Sequence, residues 1–156
     1  SSVLGCNLGM FYKRRDYTRV VNGRNPIVAH EYLGDSVEGK TVFIADDIIA
    51  SGESMLEVAS NLKARGAKRI IADATFPLFT SGLDKFDKAV EEGTLDYVVG
   101  TNLTYRKPEL LNRDWYVDVD VSKYAAYFIV ALNHDMSVSS IIDPIKKIEA
   151  LLASRK

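Results

Sequence analysis

Short β-rich apolar runs alternate with segments of helical period along almost the whole chain, and no other feature narrows its fold as much. Parallel neighbours cannot be joined by a tight turn and need a crossover, usually a helix. The alternation therefore predicts an α/β protein with a mostly parallel sheet flanked by helices. Residues 8–12, 27–32, 41–45, 69–76, 96–99 and 115–119 read as strands. The first two flank a polar, basic stretch with the turn signals Asn22-Gly23 and Asn25-Pro26, which predicts a mobile loop. The uninterrupted apolar run 41–45 predicts a strand buried on both faces and central in the sheet. Met55, Val58, Ala59 and Leu62 fall at i, i+3, i+4 and i+7, one buried helical stripe that ends near Gly66. A second helix over 82–92 turns Leu83, Phe86 and Val90 inward. A third, strongly apolar, covers 123–134 with Ser122 as its N-cap, and Asp143-Pro144 opens a terminal helix.

Composition bounds the function. At 156 residues and 47% hydrophobic content the chain suits one domain, residues 1–156, with one sizeable core. Twenty basic residues against twenty-one acidic ones leave a formal charge of -1, too little for a field that draws the whole protein to nucleic acid. No apolar run is long enough to cross a bilayer and the amino terminus carries no export signal, which points to a cytoplasmic protein with no membrane partner. The lone Cys6 reads as a small packed side chain, and His30 and His134 do not make a zinc-ligand spacing. Trp115, Tyr116, Tyr124, Tyr127 and Phe128 are expected in the core or at a subunit contact, and His134 at a helix end. A start at Ser1-Ser2 without methionine raises the expectation of a piece of a longer polypeptide.

The chemistry concentrates in residues 43–55. Asp46 and Asp47 stand where an apolar strand gives way to Ala50-Ser51-Gly52-Glu53-Ser54 and then to a helix. In open α/β sheets that edge takes ligands. The small residues can turn their backbone amides toward one point, with the Ser51 and Ser54 hydroxyls alongside and the positive helix end behind, which suits a phosphate. Asp46 and Asp47 would repel a phosphate that came that close, yet they can accept hydrogen bonds from sugar hydroxyls and help hold magnesium. Together the two halves suit a phosphorylated sugar. On spacing alone a plainer reading stands beside this one, with Ser54 and Glu57 forming a capping box and the aspartates a solvated strand end.

Two acidic residues, two apolar ones and a small turn resemble the phosphoribosyl-diphosphate signature of the type I phosphoribosyltransferase superfamily. Within it the chain is most similar to the carboxyl-terminal half of the ribose-phosphate pyrophosphokinases. Lys13-Arg14-Arg15 matches the basic opening of their flexible catalytic loop, and Gly39-Lys40 their next turn. Ala74-Thr75 with Ser81-Gly82, Thr101-Asn102 and Ser137-Val138-Ser139-Ser140-Ile141-Ile142 follow in the same order. The resemblance implies a type I phosphoribosyltransferase-like fold and an enzyme in which the 1-hydroxyl of ribose 5-phosphate attacks the β-phosphorus of ATP. It places the 5-phosphate on Ala50, Ser51, Gly52, Glu53 and Ser54, the ribose hydroxyls and magnesium on Asp46 and Asp47, directly or through water, and catalysis on Lys13 and Arg15. It also implies self-association into a homo-oligomer.

The chain departs from that pattern in its phosphate turn, where Glu53 places a carboxylate beside the expected anion. Glu53 is therefore expected to turn its side chain to solvent and lend only its amide. The family's diphosphate loop and nucleotide-binding domain have no counterpart in these residues, so the chain alone is expected to bind ribose 5-phosphate weakly and not to turn over ATP. Two other functions remain open at the level of sequence: a phosphoribosyltransferase that joins a base to phosphoribosyl pyrophosphate, and a catalytically silent regulatory or assembly module of the same fold.

Overall fold

A computed structural model describes residues 1–15 and 27–154; for residues 13–15 and 27–30 it describes the backbone alone. The chain divides into two compact units, Ser1–Ser36 and Val37–Lys156. In the first, β1 (Met10–Arg15) pairs antiparallel with β2 (Ile27–Leu33), with an irregularity between Arg14 and Arg15. The Phe11 and Tyr32 rings meet at 5.2 Å, and the Tyr32 hydroxyl donates to the Asp35 carbonyl at 3.0 Å. Gly9 has no side chain because one would overlap the Tyr32 ring. The loop expected at 16–26 lies outside the described residues. Cys6, expected to be packed, is exposed, directly after the turn at residues 2–5.

The second unit holds a four-stranded parallel sheet in the order β3 (Thr41–Ile49), β4 (Arg69–Pro77), β5 (Tyr97–Thr101), β6 (Tyr116–Val119). Helix α1 (Glu53–Ala64) joins β3 to β4 and packs on both. Its stripe is the predicted one, with Met55, Ala59 and Leu62 buried. Gly66, at φ 84, ends it, and the Ala67 N–H reaches back to the Leu62 carbonyl at 3.1 Å. That reach over five residues is the usual way a left-handed glycine closes a helix. Helix α2 (Asp84–Glu91) joins β4 to β5, and the four-residue α3 (Pro108–Leu111) precedes β6.

Burial alternates along β4, with Ile70, Ala72 and Ala74 buried and Ile71, Asp73 and Thr75 half-buried. Period-two alternation sends successive side chains to opposite faces, so the core lies on one side of the sheet. It continues into an aromatic cluster: Phe86 is 4.9 Å from Phe79, edge to face, and 5.9 Å from Trp115, stacked. Asp87 anchors the cluster by accepting from Arg113 Nε and Nη2, both at 2.9 Å, and from Trp115 Nε1 at 2.7 Å.

Several expectations about these elements need correction. β3 is not central: among the described residues its only ladder partner is β4, and Phe43 is 60% exposed. An apolar run reports that no polar residue interrupts it, not which neighbours it obtains. β3 also runs on through Asp46 and Asp47 to Ile49, so the acidic pair belongs to the strand rather than to the turn. Finally, Ser122 does not cap α4 (Ser122–Asn133); it is the first helical residue, and the Asp120 carboxylate accepts its N–H at 2.9 Å. The Ser122 hydroxyl is taken up elsewhere, accepting from Asn102 Nδ2 at 2.8 Å, which leaves the Asp120 carboxylate two residues upstream to accept at the helix start. α4 is mostly exposed, with only Ala131 buried, and α5 (Ser139–Ile142) and α6 (Ile145–Ala153) follow it. The Asp143 carboxylate accepts the Ile145 N–H at 3.0 Å, so Asp143 opens α6 from one residue further out than predicted, with Pro144 as the boundary residue.

Candidate functional site

Because the four strands are parallel, their carboxyl ends share one edge, and β3 reaches it at the buried Ile49. The Ile49 carbonyl accepts from Leu78 and Phe79 at 2.9 and 3.0 Å, and the Ala50 carbonyl from Thr80 at 2.9 Å. These bonds tie the turn after β3 to the turn after β4. Gly52 then takes φ 77, ψ -4 and forms the N-cap of α1. Only glycine adopts that conformation without strain, and here a second constraint is added: a Cβ on Gly52 would overlap the buried Phe86 ring. The N-cap position is thus Gly52, which has no side chain to cap with, and Ser54 lies inside the first turn rather than at the cap the plainer reading gave it. Around it the Ser51 hydroxyl lies 3.5 Å from the Glu53 N–H, and the Gly52 carbonyl accepts the Leu56 N–H at 2.9 Å. The opening N–H groups of a helix have no intrahelical acceptor and carry the positive end of its dipole.

Asp46, Asp47, Ala50, Ser51, Gly52, Glu53 and Ser54 are therefore gathered on one strand–turn–helix corner. Ser51 is half-buried, Gly52 buried and the others exposed. The Asp46 carboxylate accepts the Asp47 N–H at 2.8 Å. Glu53 does not hang free: its carboxylate receives Lys85 Nζ, on the first turn of α2, at 2.6 Å. That hydrogen bond, and then the lysine charge, hold the Glu53 carboxyl below the usual carboxylate range. Lys13 and Arg15 fall on β1 in the first unit, and their side chains lie outside the described residues. Among the described residues no group of three or more His, Cys, Asp or Glu is placed to hold a metal ion by itself, and Asp46 and Asp47 supply two exposed carboxylates only.

Two of the other landmarks, Thr75 and Thr101-Asn102, are hydrogen-bonded at the same edge. Thr101 Oγ1 donates to the Thr75 carbonyl at 2.7 Å, and Asn102 donates to Asp120 at 2.6 Å while accepting the Val121 N–H at 2.9 Å. Arg106 clasps Asp118 at 2.8 and 3.0 Å. Burial, then the Asp118 charge, pushes the Tyr116 hydroxyl up to about 12 against the pull of Arg106.

Sequence reasoning missed Lys85 and Asp73. Lys85 lies 32 residues beyond Glu53 and shares no periodicity with it. Asp73 interrupts an apolar strand, which was the available signal. One of its carboxylate oxygens is buried without a protein hydrogen-bond partner, and burial, then the Asp46 charge, raises its pKa. A group that holds its proton more tightly when folded favours folding below the unfolded carboxylate range and loses that contribution as pH rises through the raised value. Asp73→Asn is therefore expected to raise the Tm by a few degrees at neutral pH and to give no gain below about pH 4. Thermal melts across pH check this; an equal gain at both ends would point to packing rather than charge.

A model of the phosphoribosyl transferase domain matches residues 1–123. The chain belongs to that family. The chain is similar to the ribose-phosphate pyrophosphokinase of Shewanella oneidensis, 29% identical over 86% of this chain and 40% of that protein. The Thermotoga maritima ribose-phosphate pyrophosphokinase is 31% identical over 88% of this chain and 40% of its own length. The chain thus spans about two fifths of such relatives. The crystal structure of phosphoribosylpyrophosphate synthetase from Mycobacterium smegmatis shares the fold, with a TM-score of 0.59 over 69% of this chain and 34% of that one, at 22% identity. No helix among the described residues is long and apolar enough to cross a membrane.

Proposed function

We propose that this phosphoribosyl transferase-domain chain binds ribose 5-phosphate for diphosphate transfer from ATP, the reaction that yields phosphoribosyl pyrophosphate. The observation that carries the reading is the corner at Gly52. There a left-handed glycine, wedged against Phe86, starts α1 a short turn after the strand that carries the acidic pair, at the carboxyl edge of a parallel sheet. Residues 50–54 take the 5-phosphate on backbone amides and the Ser51 and Ser54 hydroxyls. Asp46 and Asp47 accept from the ribose hydroxyls and hold magnesium, which supplies charge neutralisation at phosphate oxygens when bound. Lys13 and Arg15 offer cationic donors for the phosphoryl group in transit. The ribose 1-hydroxyl attacks the β-phosphorus, the bond from that phosphorus to the α-bridging oxygen breaks, and AMP leaves with that oxygen. Residues 1–156 act in this reading as one domain of a longer cytoplasmic enzyme, and the edge of β3 that has no ladder partner among the described residues and the exposed apolar residues of α4 favour self-association.

Titration calorimetry of the chain with ribose 5-phosphate and magnesium tests the assignment. Saturable heat is expected, lost in an Asp46→Asn, Asp47→Asn double variant and absent with ribose lacking the phosphate. No saturable heat with the unaltered chain would leave the silent module as the better description, and binding of a purine or pyrimidine base instead would favour a base-joining phosphoribosyltransferase.

A further inference from the structure

We infer that Lys85 is a positioning residue for the phosphate turn: it draws the Glu53 carboxylate away from the anion and cancels its charge, so that a turn carrying an acidic residue still accepts a phosphate. The inference rests on the proposed ribose 5-phosphate site and adds to it a residue from a different helix.

Glu53 is the first residue of α1, next to the left-handed Gly52, so its amide stands where the turn meets the helix dipole. A carboxylate is stabilised there by the same dipole that attracts a phosphate. Left alone, Glu53 would be an internal competitor for the anion's place and would repel it by charge. Lys85 Nζ stands 2.6 Å from Glu53 Oε1, on the opening turn of α2. The next residue, Phe86, is fully buried and is the ring on which Gly52 rests. One turn of α2 therefore does two things at once: Phe86 sets the backbone of the phosphate turn, and Lys85 sets the side chain beside it. The pair is exposed, with side chains 50% and 69% accessible. Exposed pairs add little stability, so the effect belongs in ligand affinity rather than in folding.

The test is a double-mutant cycle on the full chain at low ionic strength, titrating ribose 5-phosphate with magnesium into the unaltered protein, Lys85→Met, Glu53→Gln and the double variant. Lys85→Met is expected to weaken binding about three- to tenfold by freeing a unit negative charge near a dianion. Glu53→Gln is expected to bind at least as tightly as the unaltered chain, and in that background Lys85→Met is expected to change Kd less than twofold. Coupling of this kind is what a merely structural lysine would not produce, and matching melting temperatures across the four proteins would show that the fold is not what changed. An equal loss from Lys85→Met in both backgrounds would mean that the lysine attracts the ligand directly, and would overturn the inference while leaving the site intact. So would an unchanged Kd in Lys85→Met. Failure of the unaltered chain to bind would instead remove the site and this inference together.

Discussion

Replacing Phe86 by alanine is expected to destabilise the Val37–Lys156 unit by about 3–5 kcal/mol, the usual cost of emptying a fully buried aromatic position. The ring is inaccessible to solvent and contacts Phe79 and Trp115, and the Gly52 backbone lies against it. Removing it leaves a cavity under three segments at once: the turn after β4 at Phe79, Trp115 just before β6 and the turn before α1. For a domain whose total stability is about 5–15 kcal/mol, a loss of this size moves the urea midpoint far to lower denaturant. Phe86→Leu retains most of the volume and is expected to lose roughly half as much. Equal and small losses for both would show that the cluster relaxes around the hole and that the turn is braced elsewhere.

The second large effect is expected at Gly52. Gly52→Ala must hold φ 77 with a Cβ and push that Cβ into the Phe86 ring. The conformational term is about 1 kcal/mol and overpacking adds about 1–3 kcal/mol. Gly82 offers the control, since its φ is 83 and nothing lies within 4 Å of a built Cβ. Gly82→Ala should pay the conformational term alone. The difference between the two in chemical denaturation isolates the contact with Phe86. If ribose 5-phosphate binds at the turn, Gly52→Ala should also abolish its calorimetric signal at protein concentrations where Gly82→Ala still binds, because only the former moves the amides.

Much of this unit was legible from residue order. The stripe Met55, Val58, Ala59 and Leu62 marked α1 because a helix repeats its faces every three to four residues. The acidic pair and the small turn marked the corner because short polar residues between a strand and a helix have few other uses. The family motifs then added roles that no periodicity contains. Position within the sheet was not legible. Apolar runs at 41–45 and in β4 look alike, yet among the described residues one has a single ladder partner and the other lies between two. Nor did the motif at Asp46 and Asp47 reveal that the strand continues beneath them, since strand length is set by the partner β4, whose own pairing runs to Pro77.

Residue order alone determined that the chain is α/β, where α1 and α2 bury their stripes, and which seven residues, Asp46, Asp47 and 50–54, form the corner. Those are consequences of local spacing, backbone freedom at glycine and the polarity of short segments. Only the tertiary structure decided that Phe86 rests on Gly52, that Lys85 receives Glu53, that Asp73 is left with a buried oxygen and that Asp120 rather than Ser122 opens α4. Each of these depends on which distant segments pack together, and packing energy is a property of the assembled neighbours rather than of any stretch of chain read by itself.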